Sequence, residues 1–144
     1  MKSVSYYGPI RLVGFSDKPT LYRMILPRRG DVYVKCGADI LLNGLKTDLR
    51  AEARCPICGN VTSFYIDNRG IENLAPKDPV LHVVEFKMGP GHLGVECEST
   101  HIFDEKDCLT KWLSTYEGKQ GRVASLPEYM SSLNKSLPRK VSPA

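Results

Sequence analysis

Short runs rich in β-branched and aromatic residues, broken by Gly, Pro, Asn and Asp, dominate the apolar–polar pattern of this chain, as a sheet-rich fold requires. After Gly8-Pro9, residues 10–15 predict a short strand. Residues 21–26 predict another, ended by Pro27 and the turn residues Arg29-Gly30-Asp31. Val32-Tyr33-Val34 favours a strand that runs directly into Cys36. From Gly37 the period changes, and Ala38, Ile40, Leu41, Leu42 and Leu45 predict a short helix stopped near Asn43-Gly44. Residues 49–54 alternate as a strand, 55–60 read as a tight turn and 61–66 as the returning strand of a hairpin. Asp67-Asn68-Arg69-Gly70 predicts a second turn, 71–74 a short strand, Pro76 and Pro79 a loop, and 81–86 a strong strand. The segment Gly89-Pro90-Gly91-His92-Leu93-Gly94 reads as flexible and exposed. Asp104 or Asp107 can cap a helix to about Tyr116, with Leu109, Trp112, Leu113 and Tyr116 on one face and Gly118 as its stop. Residues 123–126 predict a strand, and Pro127 at a first helical position opens a helix to about Leu137. The sum is an α+β fold: a mixed, largely antiparallel sheet with two or three packed helices. We expect one domain over residues 1–137 and a flexible tail over 138–144.

Composition narrows the function classes. The 144 residues suffice for one core, and 42% hydrophobic with 25% charged is ordinary for a soluble globular protein. The net charge of +4 comes from short clusters, Arg28-Arg29 and Lys135, Arg139 and Lys140, rather than a basic stripe interleaved with aromatics. Nucleic-acid binding is therefore not expected. No apolar run approaches the ~20 residues that span a bilayer, so no membrane association is expected. The N-terminus lacks the apolar run and cleavage site of a secretory signal. A cytoplasmic location is the expectation, and reducing conditions there keep thiols free. The five cysteines, Cys36, Cys55, Cys58, Cys97 and Cys108, then read as ligands, reactive thiols or core residues rather than a disulfide framework.

Cys36 and Asp39 stand at a strand-to-helix junction, where positions i and i+3 share a face. A thiolate is the strongest soft-metal ligand among side chains. A carboxyl in a partly apolar setting holds a proton near neutral pH. The plainer alternative is a buried Cys with Asp39 as a solvated or capping carboxylate. Cys97, between Glu96 and Glu98, follows glycines that let backbone approach a ligand. It could equally be a strand Cys facing the core. Cys55-Pro56-Ile57-Cys58-Gly59 has the form of half a zinc knuckle. His82, His92, His101, Cys108 or a second subunit could complete it. A hairpin turn with partly buried thiols, or a relay taking metal from Cys36 and Cys97, are its other readings. Cys108 reads as a core or surface thiol, His101 as a satisfied structural histidine, His92 as exposed, and Trp112 as core.

The stretch Val34-Lys35-Cys36-Gly37-Ala38-Asp39-Ile40-Leu41 resembles the segment of the alkylmercury (organomercurial) lyases that bears their first catalytic cysteine and catalytic aspartate. Cys55-Pro56-Ile57-Cys58-Gly59 is similar to a downstream turn of that family, with Cys55 at its structural cysteine. Val95-Glu96-Cys97 with His101-Ile102-Phe103 resembles the segment of the second catalytic cysteine. Lys111-Trp112-Leu113-Ser114 and Glu117-Gly118-Lys119-Gln120-Gly121 resemble its Trp-containing helix and Gly-rich end. The ordered set, more than any one motif, carries the likeness.

The resemblance implies an enzyme. Cys36 and Cys97 would grip the mercury of R–Hg–X, and Asp39 would protonate the leaving carbon, giving a hydrocarbon and Hg(II) for small thiols or a mercuric reductase to accept. No organic cofactor is required, and structural zinc at Cys55/Cys58 is a separate question. Known members carry a winged-helix-like region ahead of this core, where the present chain has only about 30 residues, so it resembles a core-only form. Glu98 beside Cys97, and Cys58 where those members have a single cysteine, are its departures. The rivals are a non-catalytic Cu, Zn or Hg binding or transfer protein on the same fold, which would need no Asp39, and a zinc-stabilised interaction module built on Cys55 and Cys58.

Overall fold

The computed structural model describes residues 5–7, 10–27, 30–67, 69–75, 78–89 and 92–136; the tail expected over 138–144 lies outside them. Among the described residues, thirteen strands and three α-helices follow in the order β1 (Ser5–Tyr7), β2 (Ile10–Leu12), β3 (Phe15–Ser16), β4 (Tyr22–Leu26), β5 (Gly30–Val34), α1 (Gly37–Gly44), β6 (Leu49–Arg54), β7 (Val61–Asp67), β8 (Gly70–Ala75), β9 (Val80–Val83), β10 (Glu85–Gly89), β11 (His92–Val95), β12 (His101–Phe103), α2 (Lys106–Thr115), β13 (Arg122–Ser125) and α3 (Leu126–Ser136). A 3-10 turn, Cys97–Ser99, precedes β12. Every strand pairing among the described residues is antiparallel. The α+β expectation holds, but the strands divide into a six-stranded sheet, β3-β5-β4-β6-β7-β8, a three-stranded sheet, β12-β9-β13, and two hairpins.

Alternation explains the large sheet. Tyr22, Met24 and Leu26 of β4, Leu49, Ala51 and Ala53 of β6, and Phe64 and Ile66 of β7 all point to one buried face. The alanines leave room for α1, whose Ile40 and Leu41 are fully buried in the same cluster. Gly44 brings the helix end against Ile66, where an added Cβ would lie 2.6 Å from its Cδ1. On the outer face Arg23 pairs with Asp31 at 2.9 Å and with Glu52, exposed contacts that contribute little. α3 buries Leu126, Tyr129, Met130 and Leu133, a helical face at i, i+3, i+4 and i+7.

Several sequence expectations are corrected by backbone chemistry. The strand over 10–15 breaks into β2 and β3 at Gly14, which has φ +80°. The strand over 81–86 splits at Val84, whose C=O accepts from Glu96 N–H at 2.9 Å and whose N–H reaches Thr100 Oγ1 at 3.4 Å. The β-favouring residues run through this point, so the pattern hides the change of sheet. Of the segment over 89–94, the described residues pair in the antiparallel register of β10 and β11, Gly89 with His92 and Phe86 with Gly94. The N-cap of α2 is Glu105 rather than Asp104 or Asp107. At α3, Ser125 Oγ accepts from Glu128 N–H at 3.1 Å and Glu128 Oε1 accepts from Ser125 N–H at 3.0 Å, a capping box, and Leu126, not Pro127, is the first helical residue.

Asn43, fully buried on α1, ties this framework together. Its side chain accepts from Val13 N–H and donates to Val13 C=O, both at 2.9 Å. Asn43→Ala leaves both backbone groups unpaired in the interior. We expect a loss of about 2–4 kcal/mol in chemical denaturation, against under ~1 kcal/mol for a surface alanine such as Glu117→Ala.

Candidate active site: two thiols and a carboxyl

Cys36 follows the last residues of β5 and is the N-cap of α1, with extended backbone at φ −155° and ψ 171°. Asp39 is then the third helical residue. Its Oδ2 turns back to accept from Cys36 N–H at 3.3 Å, the acidic half of a capping arrangement. The capping reading and the shared-volume reading are therefore both realised: one turn of helix caps itself and brings carboxyl and thiol together.

Gly14, which the sequence reading passed over, presses on this carboxyl. A Cβ there would fall 2.3 Å from Asp39 Cγ, and the left-handed φ of +80° disfavours any side chain. Gly14 C=O also accepts from Lys35 N–H at 2.9 Å, which seats it beside the start of α1. The available signal was a glycine inside an otherwise strand-like run, which marks a bulge or a close backbone approach.

Cys97 opens the 3-10 turn rather than lying in a strand. Its Sγ is 2.7 Å from Cys36 Sγ and 3.9 Å from Asp39 Oδ2. The three donor atoms all lie within 4.8 Å of one another, as a shared soft metal requires. Thr100 Oγ1 donates to Glu96 C=O at 2.9 Å across the turn. Ser99 C=O accepts from His82 Nδ1 at 2.7 Å, while His82 Nε2 accepts from Gly121 N–H at 3.0 Å. His82 thus links the turn, through Nδ1, to the backbone just ahead of β13, through Nε2.

The environment differentiates the three groups. Cys36 is 1% exposed, whereas Cys97 and Asp39 are half-buried. The hydrogen bond with Cys97 and then burial push the Cys36 thiol up, so it keeps its proton. The same bond holds Cys97 below the ordinary thiol range, with Lys35 helping, and Cys97 is the thiol that ionises first. Burial raises the Asp39 carboxyl, partly offset by the Cys36 N–H. Beneath them Tyr22 is 2% exposed; its OH accepts from Ile102 N–H at 3.3 Å and meets His101 Nδ1 at 2.7 Å. Burial raises the phenol and lowers the imidazole, so both stay neutral and Tyr22 donates to His101. Trp112 covers His82, His101 and Phe103 at ring-centroid distances of 5.1, 5.5 and 5.4 Å. These rings support the site from behind.

The remaining candidates group elsewhere. Cys55 and Cys58 meet Cys108 and Asp104, with four donor atoms within 4.8 Å, a second set that could hold a metal ion. His82 and His101, considered as partners for that pair, are instead engaged as described. The side chain of His92 lies outside the described residues. Sequence reasoning missed Asp104, read as a helix cap. A surface groove lined by Leu26, Leu49, Tyr65 and Glu72 includes none of the residues of either cluster.

The profile of the alkylmercury lyase family matches residues 15–137, which contain every segment of the resemblance noted above. Among solved structures, the crystal structure of the mercury-bound form of MerB2 matches with a TM-score of 0.64 and 20% identity, over 94% of this chain and 69% of that one. At that identity the likeness speaks for the fold. A search of curated proteins finds no match.

The thiol pair has a titration signature. The Cys36 S–H supports the Cys97 thiolate, so Cys36→Ala removes a group that lowers the Cys97 pKa. The pH profile of Cys97 alkylation by iodoacetamide, followed peptide by peptide in a mass spectrometer, is expected to move to higher pH in that variant. An unmoved profile would show that the two sulfurs do not share a proton.

Proposed function

We propose, for a chain that belongs to the alkylmercury lyase family, that Cys36 and Cys97 take the mercury of the substrate and that Asp39 carries the proton. The enzyme cleaves carbon–mercury bonds by protonolysis, giving a hydrocarbon and Hg(II). The observation that supports the assignment is the meeting of one carboxylate oxygen and two sulfurs within 4.8 Å.

The chemistry follows from the order of ionisation. The Cys97 thiolate attacks mercury in R–Hg–X, forming one Hg–S bond as X leaves with its electron pair. Asp39, ionised at this stage, takes the proton of Cys36. Cys36 then binds mercury as a thiolate, and the two sulfurs part to admit the metal. Two soft donors push electron density toward carbon and weaken its bond to the metal. Asp39 returns its proton to the departing carbon, which leaves as R–H, and the carboxylate is regenerated. Holding acid and metal ligands in one cleft makes the cleavage effectively intramolecular. Free thiols then exchange onto Hg(II) and return protons to both cysteines. A mercuric reductase is the other acceptor class. A cytoplasmic setting rich in small thiols suits this release step, and no described helix is long and apolar enough to cross a membrane. The reaction calls for no resident organic cofactor. A carrier that only bound metal would have no use for Asp39 as a proton donor, beyond its part in capping α1.

Hydrocarbon release from an organomercurial under excess thiol tests the roles. Cys36→Ala and Cys97→Ala are expected to abolish turnover. Asp39→Asn should still bind one mercury but cleave about 10²–10⁴-fold more slowly. Wild-type rates in all three would refute the assignment. Gly14→Ala, which displaces the carboxyl, is expected to slow single-turnover cleavage while the mercury stoichiometry holds.

A further inference from the structure

The geometry points to a structural zinc site formed by Cys55, Cys58, Cys108 and Asp104, separate from the substrate thiols and independent of their roles. The turn between β6 and β7 is built as a knuckle. Gly59 N–H donates to Cys55 C=O at 3.0 Å, Cys55 N–H donates to Asn60 C=O at 2.9 Å, and Gly59 adopts φ +79°. Its two thiols face the start of α2, which supplies Cys108, and the residue after β12, which is Asp104. Cys55, Cys108 and Asp104 are 2%, 4% and 6% exposed, and only Cys58 is open to solvent.

Asp104 provides the second observation. Its Oδ2 accepts from Asn60 Nδ2 at 2.9 Å, whereas its Oδ1 is buried with no hydrogen-bond partner. An unpaired buried carboxylate oxygen is costly. A cation among the three sulfurs removes that cost. The neighbouring Asn60 then acts as the group that fixes the ligand's orientation, a usual arrangement around metals.

The donor set selects the ion. Three sulfurs and one carboxylate suit borderline-soft zinc; calcium and magnesium demand oxygen-rich shells. Ligand atoms around tetrahedral zinc lie roughly 3.5–3.8 Å apart. Those here lie within 4.8 Å, so closure needs side-chain adjustments of about an ångström at most. Four protein ligands leave no open position, which makes the site structural rather than catalytic. Its place in the fold gives it a purpose. The knuckle belongs to the six-stranded sheet, and Asp104 closes the stretch that runs from Cys97 through β12. The ion thus fastens the segment bearing Cys97 to the sheet under α1.

Metal content of the full-length protein, expressed with zinc and purified reduced without chelator, is expected to be one zinc per chain. The Cys36→Ser/Cys97→Ser double variant should retain it. Cys58→Ser, at an exposed position that leaves the core intact, and Asp104→Asn should each weaken zinc at least 10-fold in chelator competition. Asn60→Ala should weaken it about 10–100-fold. Cobalt in place of zinc should show thiolate-to-metal charge transfer that Cys58→Ser diminishes. A reduced wild-type chain with neither zinc nor that cobalt absorption would overturn the proposal, as would zinc lost with Cys36 and Cys97 but kept in Cys58→Ser. Because the readout is zinc, a failed cleavage assay leaves this result intact.

Discussion

Two sulfurs 61 positions apart can share one atom only if buried hydrogen bonds clamp the turn bearing Cys97 against the helix start bearing Cys36. The clamp has three parts. Val84 leaves its sheet and gives its backbone groups to Glu96 and Thr100. His82 spends both ring nitrogens on Ser99 and Gly121. Tyr22 crosses from the large sheet to β12, taking Ile102 N–H and facing His101. The bonds made by Val84 N–H, His82 Nδ1 and Ile102 N–H are buried, where an unmade bond costs more than an exposed one gains. The close fit of Gly37, where a Cβ would stand 2.8 Å from Ile102 Cδ1, sets how near α1 approaches β12.

The reactivity of the pair follows from where the clamp leaves each group. At the N-cap of α1 the backbone N–H groups and the helix dipole favour negative charge, which suits a thiolate–carboxylate pair held at that end. Cys36 is deeper and keeps its proton; Cys97 is nearer solvent, is favoured as a thiolate by the Cys36 hydrogen bond and the Lys35 charge, and gives its proton up first. In the role proposed for Asp39, a carboxyl raised by burial is suited both to accept the second thiol proton and to part with it to carbon. The same three residues, placed in water, would have neither the order nor the proximity.

What could be read in the sequence was what local chemistry fixes. The 49–54 and 61–66 hairpin, the helix after Gly37 and the apolar face of Trp112 follow from period and turn residues, and the family resemblance runs through the same segments. Cys36 and Asp39 were legible as a pair because three positions on a helix is a local relation. The meeting with Cys97 is not local; only the resemblance suggested it. The break at Val84, the grip of His82 on the turn and the pressure of Gly14 on Asp39 depend on bonds between distant elements, which no window of residues contains. Asp104 was misread for the same reason: beside a helix start it has the form of a cap, and only the folded chain turns its carboxylate toward Asn60 and Cys108.

The two cysteine clusters impose opposite demands on a metal, and their geometry separates them. A substrate ion must be gripped firmly enough to weaken its bond to carbon, then surrendered. Two thiols with one half-buried face do this, because an incoming thiol can bind before either protein sulfur leaves. A four-donor set with three buried members offers no such position, and an ion held there, as proposed, would exchange only as the site opened at Cys58. Were the clusters alike, the product would be trapped or the framework would lose its ion with every turnover. In the proposed roles, the carboxylate of one cluster carries a proton while that of the other, oriented by Asn60, is a ligand, so the two clusters would handle soft metals in two ways.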